Sequence, residues 1–169
     1  MTDFARLMSD YFVKYLAGQK GSGSNTMKTD RDTFVQLLEF MDEKKHIRAD
    51  CIEVDSFSYD IINEFLEYLE KEKRVSISTR NNRLAAIRSF FKYTGYHEPK
   101  YLNISTSIRE ISKKKTEGRQ MNYLSVNAME HFLNSFDKTD HKELRCFCIV
   151  LLLYESGARV TELCNVRRY

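Results

Sequence analysis

Proline occurs once in the 169 residues, tryptophan not at all and glycine six times, and no long run of alternating apolar and polar residues appears. An all-α fold is therefore favoured over a sheet-based one. The chain also lacks a long apolar run. Phe147 to Tyr154 is the longest, far short of the roughly 20 residues that span a bilayer. No apolar signal core opens the sequence, so a soluble protein away from membranes is expected. Cysteines 51, 146, 148 and 164 show no paired metal spacing, and histidines 46, 97, 131 and 141 are scattered. No metal and no cofactor is implied. Cys146 and Cys148 sit in an apolar helical stretch as buried thiols, which suits a reducing, cytoplasmic setting.

What the chain does have is charge, unevenly placed. The net charge of +3 conceals twelve acidic against four basic residues from Asp30 to Glu70, and thirteen basic against four acidic from Lys71 to Gln120. One part should attract polyanions and another repel them.

Hydrophobic residues make up 42% of the chain and recur at helical spacing. Phe4, Leu7, Met8, Tyr11, Phe12, Tyr15 and Leu16 define a first helix, capped by Asp3 and ended by Gly18. A glycine- and serine-rich loop to Ser24 follows. Asn25 or Thr26 then caps a second helix to about Lys45, with Phe34, Leu38 and Met41 inward. A third helix from Ser58 buries Ile61, Ile62, Phe65 and Leu69. Its acidic face, Asp60, Glu64, Glu67 and Glu70, points away from any nucleic acid.

The fourth helix, capped by Ser78 and reaching Thr94, carries the binding signal. Leu84, Ile87 and Phe91 form its core stripe, while Asn81, Ala85, Arg88 and Lys92 fall on one adjacent line. A small residue between long donors lets a helix approach DNA closely enough to reach phosphates or base edges. Arg80 and Arg83 lie near the N-terminus of the same helix, where its dipole favours phosphate. A short helix after Pro99 ends near Ile111. The stretch 112–122, with Lys113, Lys114 and Lys115, has linker composition. About ten residues of it could reach roughly 30 Å, enough to cross a duplex.

A helix capped by Ser125 then buries Val126, Met129, Phe132 and Leu133, and a buried helix from Lys142 to Glu155 leads into Gly157-Ala158-Arg159-Val160-Thr161-Glu162-Leu163. An arginine after a glycine turn, with glutamate three residues on, is a way to hold a guanidinium in place.

That last segment resembles the Gly-x-Arg-x-x-Glu-Leu box of the tyrosine recombinases, the phage-integrase family. Phe65 to Leu69 and Ser78 to Tyr93 similarly resemble the third and fourth helices of the family's core-binding domain. The resemblance implies a four-helix, SAM-like core-binding bundle (1–111), a basic interdomain linker (112–122) and the first helices of a catalytic domain (123–169) that the sequence truncates. It places double-stranded DNA against Asn25, Thr26 and Lys28 on the second helix, Thr79, Arg80, Asn81, Arg83, Arg88 and Lys92 on the fourth, and Lys113 to Lys115. Asp30 and Asp32 bring acid near that surface. Arg159 is implied as the first catalytic arginine, a ligand of the scissile phosphate.

The chemistry so implied is metal-free phosphoryl transfer through a covalent 3′-phosphotyrosine, with self-association on DNA. The family's lysine, second arginine box and tyrosine nucleophile lie further downstream than residue 169, and Tyr169 is not assigned that role, so these residues are expected to bind DNA without cleaving it. Two readings from other classes stay open on the residues alone. One is a helical DNA-binding regulator, the other a protein-interaction bundle whose basic stripe meets an acidic partner.

Overall fold

The structure, a computed structural model, describes every residue except 20, 22, 117, 119–121 and 167–169. Parts of the glycine-rich loop and of the basic stretch, as well as Tyr169, therefore lie outside the described residues. Among those described there are eight α-helices and no strand. They fall into two units, Met1–Glu117 and Gly118–Tyr169.

In the first unit, α1 (Asp3–Asp10) is capped by Thr2, whose Oγ1 accepts the Ala5 N–H at 3.3 Å, and Asp3 is the first helical residue. The chain does not stop at Gly18: it continues as a π-helical stretch, Tyr11–Gln19. Widening the turn changes which residues face inward. Tyr11 and Leu16, five apart, are both fully buried, whereas Tyr15, on the expected 3.6-residue line, is only partly covered.

The second helix, α2 (Ser24–Lys45), starts after Gly23 with no side-chain cap, so neither Asn25 nor Thr26 performs that role. It buries Phe34, Leu37, Phe40 and Met41, and ends at His46 in the left-handed region (φ 56°). Ser58 caps α3 (Tyr59–Lys71) as expected. Helix α4 (Ile77–His97) begins a residue before Ser78, because the Ser76 Oγ accepts the Thr79 N–H at 3.2 Å. After a 3₁₀ turn at Pro99–Tyr101 comes α5 (Leu102–Glu110).

Phe90, fully buried on α4, is the hub of the core. Its ring meets Phe4, Tyr11, Phe34 and Phe91 at centroid distances of 5.5, 5.5, 5.2 and 5.3 Å, all close to edge-on. That geometry sets positive ring edges against negative faces. Four elements are locked together through one side chain.

Helix α5 lies tightly on α4. A Cβ added to Gly95 would stand 2.7 Å from Ser105 Oγ and 2.8 Å from its Cβ, so glycine is what permits the approach. The N-terminal end is tied to the same junction. Asp3 accepts from Lys100 Nζ (2.7 Å) and Tyr101 Oη (2.8 Å), and Arg6 pairs with Glu98 at 2.6 Å.

The second unit contains α6 (Val126–Asn134), α7 (His141–Ser156) and α8 (Val160–Cys164). Ser125 caps α6 as expected, its Oγ accepting the Ala128 N–H at 3.2 Å. No described residue of this unit is fully buried: Val126, Phe132, Ile149, Leu152 and Tyr154 are exposed, against the expectation of buried α6 and α7 faces. Cys146 and Cys148 are likewise exposed rather than buried. A few ring contacts, Phe132 with Phe136 and Phe136 with Phe147, join α6 to α7. Among the described residues no helix is long and apolar enough to cross a membrane, and no cluster of ligand residues could hold a metal.

Candidate nucleic-acid interface

The start of α2 runs beside the middle of α4 and leaves a groove between them. Its first part, about 410 Å³, is lined by Asn25, Thr26, Thr29 and Asp30 from α2 and by Asn82, Ala85, Ala86 and Ser89 from α4. The second part, about 620 Å³, passes between α4 and α5 and is lined by Tyr15, Ala85, Arg88, Ser89 and Lys92 with Thr106, Arg109 and Glu110 of α5. Ala85 and Ser89 line both, so the two parts are contiguous. Asn25 and Thr26 thus reach the groove, while Lys28 is exposed on the same helix outside its lining.

The fourth helix presents a different line from the one its sequence suggests. Asn81 Nδ2 donates to the Lys114 carbonyl at 2.8 Å and its Oδ1 accepts the Lys114 N–H at 3.1 Å. Its amide is a clamp on the chain leaving α5. Arg88 closes the C-terminus of α5: Nε donates to the Arg109 carbonyl at 2.9 Å and Nη2 to the same oxygen. A cation on exposed helix-terminal carbonyls is favourable for the helix dipole. The open line is instead Asn82, Ala85 and Lys92, all exposed, with the half-buried Ser89, turned by roughly 50° about the helix axis from the expected one at 100° per residue. Packing of α5 covers one edge of α4 and leaves the other open.

Two further basic residues are held inside. Arg80 is buried, its Nε 2.9 Å from Glu70 Oε1, with weaker contacts to the Ser112 carbonyl and Asn81. The Arg80–Glu70 contact is not aligned as a hydrogen bond, so charge holds it. Glu70 also pairs with Lys114 Nζ at 2.7 Å. The acidic face of α3 therefore does not lie wholly in solvent, since Glu70 anchors α4 and the basic stretch together. Arg83 leans on α2, with Nη1 3.4 Å from Thr33 Oγ1. Burial lowers its pKa, and the nearby Asp32 carboxylate partly opposes that shift. Thr79 is taken up at the helix start, its Oγ1 2.9 Å from Ser76 Oγ.

On α4, α5 and the basic stretch, four cations among the described residues are exposed and free of ion pairs. Lys92 is exposed, 5.9 Å from the Tyr96 ring centroid, and Arg109 is exposed on the last turn of α5. Lys113 and Lys115 are exposed and form no ion pair among the described residues. At the floor of the groove, Asp30 Oδ2 accepts from Tyr11 Oη at 3.3 Å. Burial raises the pKa of that phenol, which stays protonated as a donor.

In the second unit Gly157 (φ 63°) ends α7, its N–H donating to the Leu153 carbonyl at 3.0 Å. Arg159 then precedes α8. Glu162 holds it at two points: Oε2 accepts the Arg159 N–H at 2.8 Å, and Oε1 pairs with Nη1 at 3.0 Å. The Arg159 side chain is 82% exposed. An exposed pair three residues apart is worth well under about 1 kcal/mol. Glu162 therefore orients the guanidinium without neutralising its capacity for an anion.

Residues 10–99 match the family model described as "Phage integrase, N-terminal SAM-like domain". The chain belongs to the phage-integrase family of tyrosine recombinases. Similar proteins include two of Sinorhizobium fredii named as integrase/recombinases. They are y4rC, 26% identical across 97% of this chain and 49% of its own length, and y4rD, 27% identical across 96% and 58%. The tyrosine recombinase XerC of Staphylococcus aureus is 26% identical across 95% of this chain and 51% of its own. The chain thus spans about half the length of the curated relatives it matches. No solved structure matches.

The exposed groove residues Thr29, Asn82 and Arg109 and the half-buried Ser89 are not among those the sequence singled out. Asn82, Ala85, Ser89 and Lys92 recur at helical spacing just as Asn81, Ala85, Arg88 and Lys92 do. Only the position of α5 distinguishes the two lines.

Proposed function

We propose that this chain is the DNA-binding part of a site-specific tyrosine recombinase or integrase, with residues 1–111 as the core-binding domain, 112–122 as a basic linker and 123–169 as the opening of a catalytic domain. Duplex DNA lies on the α2–α4 groove. The observation that carries this is the composition of the groove: an exposed alanine at its centre, amide and hydroxyl side chains on both walls with the Asp30 carboxylate turned to Tyr11 at the floor, and Lys92 and Arg109 beside Glu110 at one end. A duplex needs close approach, base-edge partners and phosphate partners, and the groove offers each. Lys28, Lys113 and Lys115 add charge around it.

Arg159 is the residue of the second unit that would meet the scissile phosphate. Two guanidinium donors suit two non-bridging oxygens, and they become more valuable as charge builds on the pentacovalent phosphorus. The nucleophile of such a reaction is a tyrosine hydroxyl, which replaces the 5′-oxygen at phosphorus and yields a 3′-phosphotyrosine. Arg159 is the one member of that catalytic set within these 169 residues, which by themselves bind without cutting. Recombination requires protomers to associate on DNA, and the setting is the cytoplasm.

The test is duplex binding measured across salt concentrations. The combined K92A and R109A substitution is expected to weaken binding severalfold and to flatten the log–log salt slope by about 1.8, from about 0.9 per phosphate contact. Arg159→Ala should leave both quantities nearly unchanged. Binding that ignores Lys92 and Arg109 would remove the groove from the interface.

A further inference from the structure

The two parts of the groove differ in chemistry, and two adjacent asparagines differ in what they have left to offer. Asn81 has its amide engaged at both ends by the Lys114 backbone. Asn82 is exposed, faces the groove and has no hydrogen-bond partner among the described residues. Around it stand Thr26, Thr29 and Ser89, the one charged group lining that part is the buried Asp30 carboxylate, which accepts from Tyr11, and no lysine or arginine is among the described residues there. The cations Arg88, Lys92 and Arg109 all belong to the neighbouring part, where they outnumber the single acid, Glu110.

Phosphate draws cations first, and although asparagine, serine and threonine also donate to it, an amide set apart from the lysine and arginine side chains is free to meet a base edge. An asparagine amide matches adenine in particular: Nδ2 donates to N7 while Oδ1 accepts from the N6 amino group. The bare Ala85 methyl next to it leaves room for the helix to sit deep in the major groove and offers an apolar surface to a thymine methyl.

We propose that Asn82 is a sequence-reading residue that pairs with an adenine in the major groove, while Lys92 and Arg109 hold the adjacent phosphates. The inference rests on the DNA-binding reading above and adds to it a division of labour along the groove.

The experiment begins by selecting preferred duplexes from a random pool with the unaltered chain. Affinity is then measured for the selected duplex and for a scrambled one over a salt series. N82A is expected to weaken the selected duplex by roughly 5- to 100-fold, the range for losing one bidentate base contact. It should leave the scrambled duplex within about twofold and the salt slope unchanged, as befits a contact without charge. Placing 7-deazaadenine at the contacted position should reproduce the loss in the unaltered chain and add nothing to N82A.

K92A should lower affinity for both duplexes alike and flatten the slope by about 0.9. Because the Asn82 side chain is exposed, equal melting temperatures for N82A and the unaltered chain establish that folding is intact. The proposal is overturned if N82A leaves the preference intact, or weakens both duplexes equally. A selection that yields no adenine-dependent preference while salt-dependent binding persists defeats it and spares the DNA-binding reading. Absence of any duplex binding defeats both.

Discussion

Replacing Glu70 by alanine should cost the first unit about 3 kcal/mol. The Arg80 side chain is only 7% exposed and Glu70 23%, so removing the carboxylate strands a guanidinium out of water. Breaking a buried pair in this way typically costs about 3–5 kcal/mol, and the partial exposure of Glu70 argues for the lower end. The Lys114 pair, about half exposed, adds well under about 1 kcal/mol. For a unit of this size the loss corresponds to a fall in melting temperature of roughly 10 °C. Charge rather than hydrogen-bond alignment joins Glu70 to Arg80, so E70Q, which keeps the shape, should be nearly as damaging as E70A. Adding R80M to E70A removes the stranded cation and should restore most of the stability. Circular-dichroism melts of the four proteins provide the comparison. A drop of less than about 3 °C for E70A, or a double variant no better than E70A, would refute the buried-pair argument.

Two other perturbations probe what positions the groove. Gly95→Ala forces a methyl group against Ser105, and the shift of α5 should cost about 1–3 kcal/mol in urea unfolding; S105G in the same chain should recover most of it by removing both clashing atoms. Asp3 has its pKa lowered, first by hydrogen bonds from Lys100 and Tyr101 and then by the Lys100 charge. A depressed folded-state pKa stabilises above the unfolded value, near 4, and this contribution disappears as pH falls through the lower folded value. The stability difference between the unaltered chain and D3N should therefore be constant at neutral pH and shrink as pH falls below about 4; a difference that does not change from neutral pH into acid would contradict it.

How much was legible in the sequence varies from element to element. The 3.6-residue recurrence of apolar side chains located α2, α3 and α4, because burying one face of a helix leaves a trace in the chain itself. Ser58 and Ser125 were readable as caps because a hydroxyl two or three residues ahead of free N–H groups is a local arrangement. The Arg159–Glu162 pair was readable for the same reason, three residues being one helical turn. The π-helical passage at Tyr11–Gln19 left no such trace, since the apolar spacing lists Tyr15 and Leu16 alike and only the fold buries the second more fully than the first.

The order of helices, the concentration of positive charge after Lys71 and the arginine turn were settled by the sequence alone, since each depends on neighbours within a few residues or on composition. Which basic residues can reach a ligand was decided only by tertiary structure. Arg80, Arg83 and Arg88 look alike with Lys92 along the helix. Glu70, Thr33 and the C-terminal carbonyl of α5, brought from 10, 50 and 21 residues away, occupy the first three and leave the last. A guanidinium near an unpaired carbonyl or carboxylate is captured wherever folding places that partner, and no local pattern records where that is.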